Sequence, residues 1–412
     1  MPGAATRPWW LLGLLAAALF AGGCASVSAP PIPRAMSATE RVAYNRRVFD
    51  RAWSLIDRKF FDGKFGGVDW PAMQARYRPA AEEAPDDETL YREINTMIGE
   101  LNASHLVAIS PRYAYEDRTH RRAAVGIRFR RVEEQWAVTD VLPASPAELA
   151  GVQRGWVITR RDGKPIGDEL HSGVKEGQPV AYEFLDEAAR PQARTMTART
   201  LSVKPRTEAR ELEGGVLYLR FDEFAWASRG WLNQQLKEHR LARGVVIDLR
   251  QNPGGNAIAL WAALGEFFPK RVPAGTFIRR SGGVWNTKSF SWFSAHYDGP
   301  LTVLVDGASA SCSEIFAHVL QYHKRAVLIG RKTAGAVILS WFYGLPAGGR
   351  LQMAIQDYRG LDGQRIEGNG IVPDRVVPLK LADLRSGRDA DLDLALQVLQ
   401  QPIHADAAAA SP

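Results

Sequence analysis

The 412-residue chain lacks most of the marks of several common protein classes. It has only two cysteines, Cys24 and Cys312, which excludes a disulfide framework and leaves stability to apolar cores. Its eight histidines are scattered and no H-E-x-x-H occurs, so a zinc hydrolase is not expected. Two glycines follow a strand in "NPGGN", but without G-x-G-x-x-G and without an adjoining Lys-Ser/Thr pair, so the signal for a phosphate-cradling loop is weak. The apolar N-terminal run "WWLLGLLAAALFAGG" stops at 15 residues. A membrane-spanning helix needs roughly 20. The net charge of +7 is dispersed, with no long basic block interleaved with aromatics, so nucleic acid is not an expected partner.

Hydrophobic residues make up 46% and charged residues 24%, the balance of a globular protein, and the length suits two or three domains. Arg7 precedes the apolar run, which ends at "AGGC". This reads as a secretory signal. "AGGC" also resembles a bacterial lipoprotein box, with Ala21 where leucine is usual. That resemblance implies lipidation of Cys24, and Ala25 after it favours the outer membrane on the periplasmic side of a bacterial cell envelope. A plain cleaved signal peptide is the alternative. Residues 1–24 are therefore expected as signal and 25–38, rich in Pro, Ser and Ala, as a tether.

The remainder reads as an α/β multidomain chain. Residues 39–121 are expected as a helical domain, since Phe49, Trp53, Leu55 and Ile56, and later Leu90, Ile94, Met97, Ile98 and Leu101, recur at helical spacing. "SHLVAIS" follows as a short strand. Residues 122–205 carry short strands broken by turn signals. Within them "LPASPAELAGVQRGWVITRRDGKPI" (143–167) resembles the core of a PDZ domain, with Trp156 where an aspartate is usual. Pro146 there starts a short helix expected to pack Ala147, Leu149 and Ala150, and "RDG" closes a hairpin. By that resemblance Val125, Gly126 and Ile127 form the loop that holds a peptide C-terminus, through strand addition. A purely structural β module is the bland alternative. Residues 206–380 alternate strand and helix, including the apolar strands "GVVIDLR" and "LTVLVD". Residues 381–412 are expected as a last helix and a disordered tail.

The chemistry gathers on "VDGASASCSEIFAHVL" (305–320) and "VVIDLRQNPGGN" (245–256), each a strand–turn–helix. Three serines crowd the start of a helix. Capping alone would account for one of them. Together the two segments resemble the catalytic domain of the carboxyl-terminal processing peptidases and the related tricorn core proteases. The order of modules is also similar, over roughly residues 40–400. The resemblance implies an α/β core of crotonase/ClpP-like type and a nucleophile at Ser311. It also implies an oxyanion hole from the N–H of Cys312 and that of Gly254 or Gly255, the choice between the two glycines being open. A helix N-terminus suits that task, because it offers free N–H groups and partial positive charge.

The bacterial processing peptidases carry a catalytic lysine in "TFGKG". Here the segment reads "TAGAV", and the lysine position is Ala336. Lys332 lies four residues earlier and reads as a surface charge. His318 and His323 follow Ser311 on its own helix, and seven residues of helix span roughly 10 Å, too far for a hydrogen bond. The remaining histidines have no supporting context except His105, in "ELNASHLVAIS". His105 beside Ser104 is similar to the Ser-His pair of the tricorn branch, in which a glutamate near the chain end orients the pair. Glu367 in "IEGNGIVPD" matches it. The implied relay is Glu367, Ser104, His105, Ser311, with imidazole as base near neutral pH.

The expected function is an envelope serine endopeptidase acting on unfolded or C-terminally tagged proteins, lipid-anchored to a membrane and without metal or cofactor. The alternatives are an inactive PDZ-type peptide-binding lipoprotein, motivated by Ala336, and an acyl hydrolase or esterase using the same serine.

Overall fold

The computed structural model describes residues 36–167, 173–291 and 294–400. Cys24, the signal and tether up to residue 35, and the tail from 401 lie outside the described residues.

The chain opens with three helices, α1 (Ala38–Lys59), α2 (Trp70–Glu82) and α3 (Asp87–Gly99). Each starts on a side chain that satisfies an orphan N–H: Ser37 in a capping box with Glu40, Asp69, and Asp86. Their apolar stripes bury Phe49, Ile56, Trp70, Leu90 and Ile94. This core is not self-contained, because Ile338, Leu345, Leu351 and Met353 from far along the chain complete it. A short strand, β1 (Val107–Ile109), and helix α4 (Pro111–Thr119) follow.

A small β module comes next. Strand β2 (Arg121–Ala124) leads to β3 (Ile127–Val132), β4 (Gln135–Val141), the four-residue helix α5 (Pro146–Leu149) and β5 (Val157–Arg161). Then come β6 (Lys164–Pro165), β7 (Pro179–Leu185), β8 (Pro191–Thr197) and β9 (Arg199–Ser202). Strands β3-β4-β5-β7-β8 form one sheet, with β6 hairpinned on β5, and β2 pairs β9. The "RDG" turn has φ of +50° at Asp162 and +76° at Gly163, the mirror-image geometry that tight hairpins favour. Ala147 is fully buried under α5, but Leu149 is 69% exposed, against expectation. A helix of one turn turns only part of itself inward, and Pro146 and Ala147 take that side. Trp156, in place of the aspartate, is buried edge-on against Phe184.

The core contains a six-stranded sheet in the order β10-β11-β12-β15-β16-β19. Its strands are β10 (Thr207–Leu212), β11 (Val216–Phe221), β12 (Gly244–Asp248), β15 (Leu301–Val305), β16 (Val327–Gly330) and β19 (Arg375–Val376). From β11 onward the pairing is parallel, and β12 and β15 are buried along their whole length. Helices α6 (Trp226–Glu238), α7 (Ala257–Leu264) and α8 (Cys312–Tyr322) pack one face in the largest core. The C-terminal helices α9 (Leu381–Ser386) and α10 (Ala390–Gln400) close the chain, α10 covering the other face.

A second sheet was not anticipated. Strands β13 (Pro273–Arg279), β14 (Val284–Lys288), β17 (Ile338–Gly344) and β18 (Arg350–Arg359) join β1 around a central β18. Their polar and charged residues dilute the apolar alternation that marks a strand. This sheet brings the N-terminal part of the chain to the core.

Candidate active site

Strand β15 ends at Val305, and the chain reaches α8 through six residues that hold Ser309 and Ser311, with Ser313 in the first turn of the helix. Two of the hydroxyls are committed to backbone. Ser309 Oγ donates to Leu249 O at 2.8 Å and accepts the Asp306 N–H at 2.9 Å, and Ser313 Oγ donates to Asn252 O at 2.9 Å. Both residues are fully buried. Ser311 is half-buried and stands at the helix N-cap with φ +56° and ψ −117°. That conformation is costly for a residue with a Cβ and persists only where surroundings impose it. Its N–H is shared between Ala336 O at 2.9 Å and Glu314 Oε2 at 3.1 Å.

The Asn252–Gly255 turn lies directly against this serine. A Cβ on Gly254, whose φ is +103°, would stand 2.7 Å from Ser311 Cβ and 2.9 Å from the Cys312 nitrogen. The Gly254 N–H is already donated to Asn252 Oδ1 at 2.9 Å. The Gly255 N–H and the Cys312 N–H have no acceptor among the described residues. Of the two glycines left open by sequence, Gly255 is therefore the one with a free donor. The Cys312 thiol is buried, which pushes it up to about 12, and it donates to Gly255 O at 3.3 Å. It stays protonated and is not a competing nucleophile.

Strand β1 pairs with β18, which carries residues 104–105 to the loop that follows β18. There Ser104 Oγ donates to Glu367 Oε2 at 2.8 Å, and the Ser104 N–H donates to Glu367 Oε1 at 2.8 Å. His105 Nδ1 lies 2.8 Å from Ser104 Oγ. The serine has one proton and gives it to the carboxylate. Nδ1 must then be the protonated ring nitrogen, which leaves Nε2 as a lone-pair acceptor. Burial lowers the His105 pKa below 6.5, against the opposing pull of Glu367. The ring is thus neutral at neutral pH.

One peptide unit joins this relay to Ser311. The Ala336 carbonyl accepts the Ser311 N–H, and the N–H of the same peptide, at Val337, donates to Glu367 Oε2 at 2.7 Å. Ala336 therefore contributes backbone at the position to which the sequence resemblance assigns a lysine side chain. The segment is braced from below by Glu314, which accepts Thr333 Oγ1 at 2.6 Å, the Gly335 N–H at 2.8 Å and the Ala336 N–H at 2.9 Å. Sequence reading missed Glu314, although its place three residues after Ser311, in an apolar helix face, was a visible anomaly. His318 Nε2 accepts the Leu361 N–H at 2.9 Å and is spent structurally. Val125, Gly126 and Ile127 lie apart, in the small module. The Val125 and Gly126 carbonyls accept Ala147 N–H and Leu142 N–H, both at 2.9 Å.

With this geometry in view, likenesses to known proteins gain meaning. Residues 215–377 match peptidase family S41, and residues 42–99 match the tricorn protease C1 domain. The chain is a serine-type peptidase. It is 27% identical over 426 residues to the carboxyl-terminal-processing protease of Synechocystis sp., covering 96% of this chain and 94% of that one. With the carboxy-terminal-processing protease of Bartonella bacilliformis it shares 28% identity over 337 residues, covering 77% and 76%. The solved photosystem II D1 C-terminal processing protease has the same fold, with a TM-score of 0.59 at 22% identity over 87% of this chain and 97% of that one.

In this serine-type peptidase the small β module touches both the glycine turn and the serine loop. Arg128 Nη1 donates to Gln251 Oε1 at 3.0 Å, and Arg130 Nη1 pairs with Asp306 Oδ2 at 3.1 Å. Asp306 Oδ1 in turn accepts the Gln251 N–H and the Ala308 N–H, each at 3.0 Å. One carboxylate thus ties the glycine turn, the serine loop and β3 together.

Proposed function

We propose that the chain hydrolyses peptide bonds through an acyl-enzyme on Ser311, with His105 as general base. His105 Nε2 takes the Ser311 proton as Oγ attacks the scissile carbonyl. The N–H groups of Cys312 and Gly255 receive the oxyanion. The imidazolium then returns the proton to the departing amine, and water repeats the cycle to release the acyl group. Ser104 and Glu367 hold the tautomer and stabilise the imidazolium. The observation that carries this reading is the hydrogen-bonded series Glu367–Ser104–His105, which leaves Nε2 free. The substrates would be unfolded or C-terminally tagged proteins, and the core would be of crotonase/ClpP-like type. The small module would act as a PDZ-like domain that binds the substrate C-terminus. Lipidation at Cys24 would hold the chain at the bacterial outer membrane, on the periplasmic side.

A fluorophosphonate probe and a denatured protein substrate test the reading. Labelling at Ser311 and a fall of about 10³-fold or more in turnover for His105→Ala are expected. An unlabelled intact protein, with turnover unaffected by His105→Ala, would sink it. Ala336 in place of the lysine favours a second reading, an inactive peptide-binding protein. Peptide binding without labelling or turnover would select that one. Ester turnover without proteolysis would select an acyl hydrolase.

A further inference from the structure

A cleft of about 490 Å³ opens between the small β module and the core, at the carboxyl ends of the parallel strands. It is set apart from the serine by the Asp306 loop. Eight arginines and five aspartates line it among the described residues, and Asp222, Asp248, Glu208 and Asp393 pair with those arginines from behind the lining. Guanidinium groups cannot shed their charge, so a fork with no carboxylate at hand is open to an anion.

Most of these guanidinium groups are matched. Arg250 is met by Asp248, Asp389 and Asp391, Arg331 by Asp391, Arg130 by Asp306, Arg210 by Glu208 and Arg388 by Asp383 and Asp393. Arg206 and Arg220 both reach Asp222, at 3.7 Å and 3.2 Å, and Arg220 is also drawn by Asp248. Arg154, from the turn before β5, has no carboxylate partner among the described residues. On the same wall Thr139 Oγ1 is shielded from solvent and has no hydrogen-bond partner among the described residues. An unpaired hydroxyl on the same wall as the unmatched Arg154 fork, with Arg206 held only at 3.7 Å by a shared carboxylate, fits an acceptor-rich anionic ligand. A crevice outside the carboxyl ends of parallel strands is also where open α/β sheets take their ligands.

We propose that this cleft binds a compact oxyanion of the phosphate class, held by Arg154, Arg206 and Arg220 with Thr139 as a further donor. The ligand would bridge the small module, which supplies Arg154 and Thr139, and the core, which supplies Arg206 and Arg220. No step of peptide hydrolysis is involved, so binding is read without any turnover.

The test is titration of the intact protein with inorganic phosphate and pyrophosphate, at ionic strength held constant with sodium chloride, by calorimetry and thermal melting. Saturable binding is expected, with a rise in Tm of roughly 3 °C at 100 times Kd. Tighter binding of pyrophosphate would identify a diphosphate. The double variant Arg154→Ala/Arg206→Ala removes two exposed side chains and is expected to weaken binding at least tenfold while its melting without ligand stays cooperative. Arg154→Lys/Arg206→Lys keeps the charge and separates fork recognition from simple attraction: intermediate binding is expected. Absence of saturable binding, or binding equally strong in both double variants, would overturn the proposal.

Discussion

Ser311 is the one serine of its cluster whose hydroxyl is not donated to backbone, and among the described residues His105 is the histidine whose ring joins the Ser104–Glu367 pair. Each is held at positive φ, +56° and +55°, so each side chain is aimed by strain that packing imposes. His105 predicts a pH profile. Its pKa lies below 6.5, with burial as the first cause, so the neutral base persists into mild acid. Activity as kcat/KM should rise with pH through a midpoint below 6.5 and be flat by neutral pH. A midpoint well above 6.5 would contradict the assignment. Gly254 makes a second prediction. Alanine there must adopt φ +103° and place its Cβ 2.7 Å from Ser311 Cβ. Gly254→Ala should cut turnover by about 10²-fold, as displacing an oxyanion donor does. The global stability cost should be only roughly 1–3 kcal/mol, measured by urea unfolding.

The turns and strands explain how distant residues meet. Helix α8 sets Ser311, but the segment after Ala336 and the loop after β18 set the relay, and both belong to the second sheet. Strand β3 adds a mechanical link, because Arg130 meets the carboxylate that braces both active-site turns. Arg130→Ala should lower kcat by roughly fivefold, a coupling of about 1 kcal/mol, with KM for a short peptide little changed. Arg130→Lys should recover part of the loss, since a lysine keeps the charge but not the fork. An unchanged kcat in Arg130→Ala would show that the module rests on the core without influencing it.

Across the molecule, the C-terminus is stapled to the core by charge. Asp391 is buried and receives Arg250 at 2.9 Å and Arg331 through two contacts of 2.8 Å. Removing one member of such a network strands the others. Asp391→Ala should destabilise the fold by about 3 kcal/mol, read as a lower urea midpoint with unchanged m. Burial alone would raise the carboxyls of Asp248 and Asp389, but Arg250 outweighs it and both titrate below 3.8. Their contribution to stability is therefore present above pH 3.8 and lost as pH falls through the lower folded values.

The alternating core from β11 to β16, the helical stripes before residue 101 and the serine-bearing turn could all be read from pattern, because periodicity and turn chemistry are local. Ser104, His105 and Glu367 could be named only through likeness to a family, since nothing local joins residues 263 apart in the chain. The β13–β18 sheet, the role of Glu314 and the choice of Gly255 over Gly254 were not readable. Each depends on which backbone donors the folded chain has already used. Sequence by itself determined the run of helices and strands, the helix-start setting of Ser311 and the absence of a lysine at position 336. Tertiary structure alone decided how that absence is met: one peptide plane, braced by a buried carboxylate, spans the distance between the serine and the relay. A hydrogen bond records which groups are close, and closeness across the chain is a property of the fold.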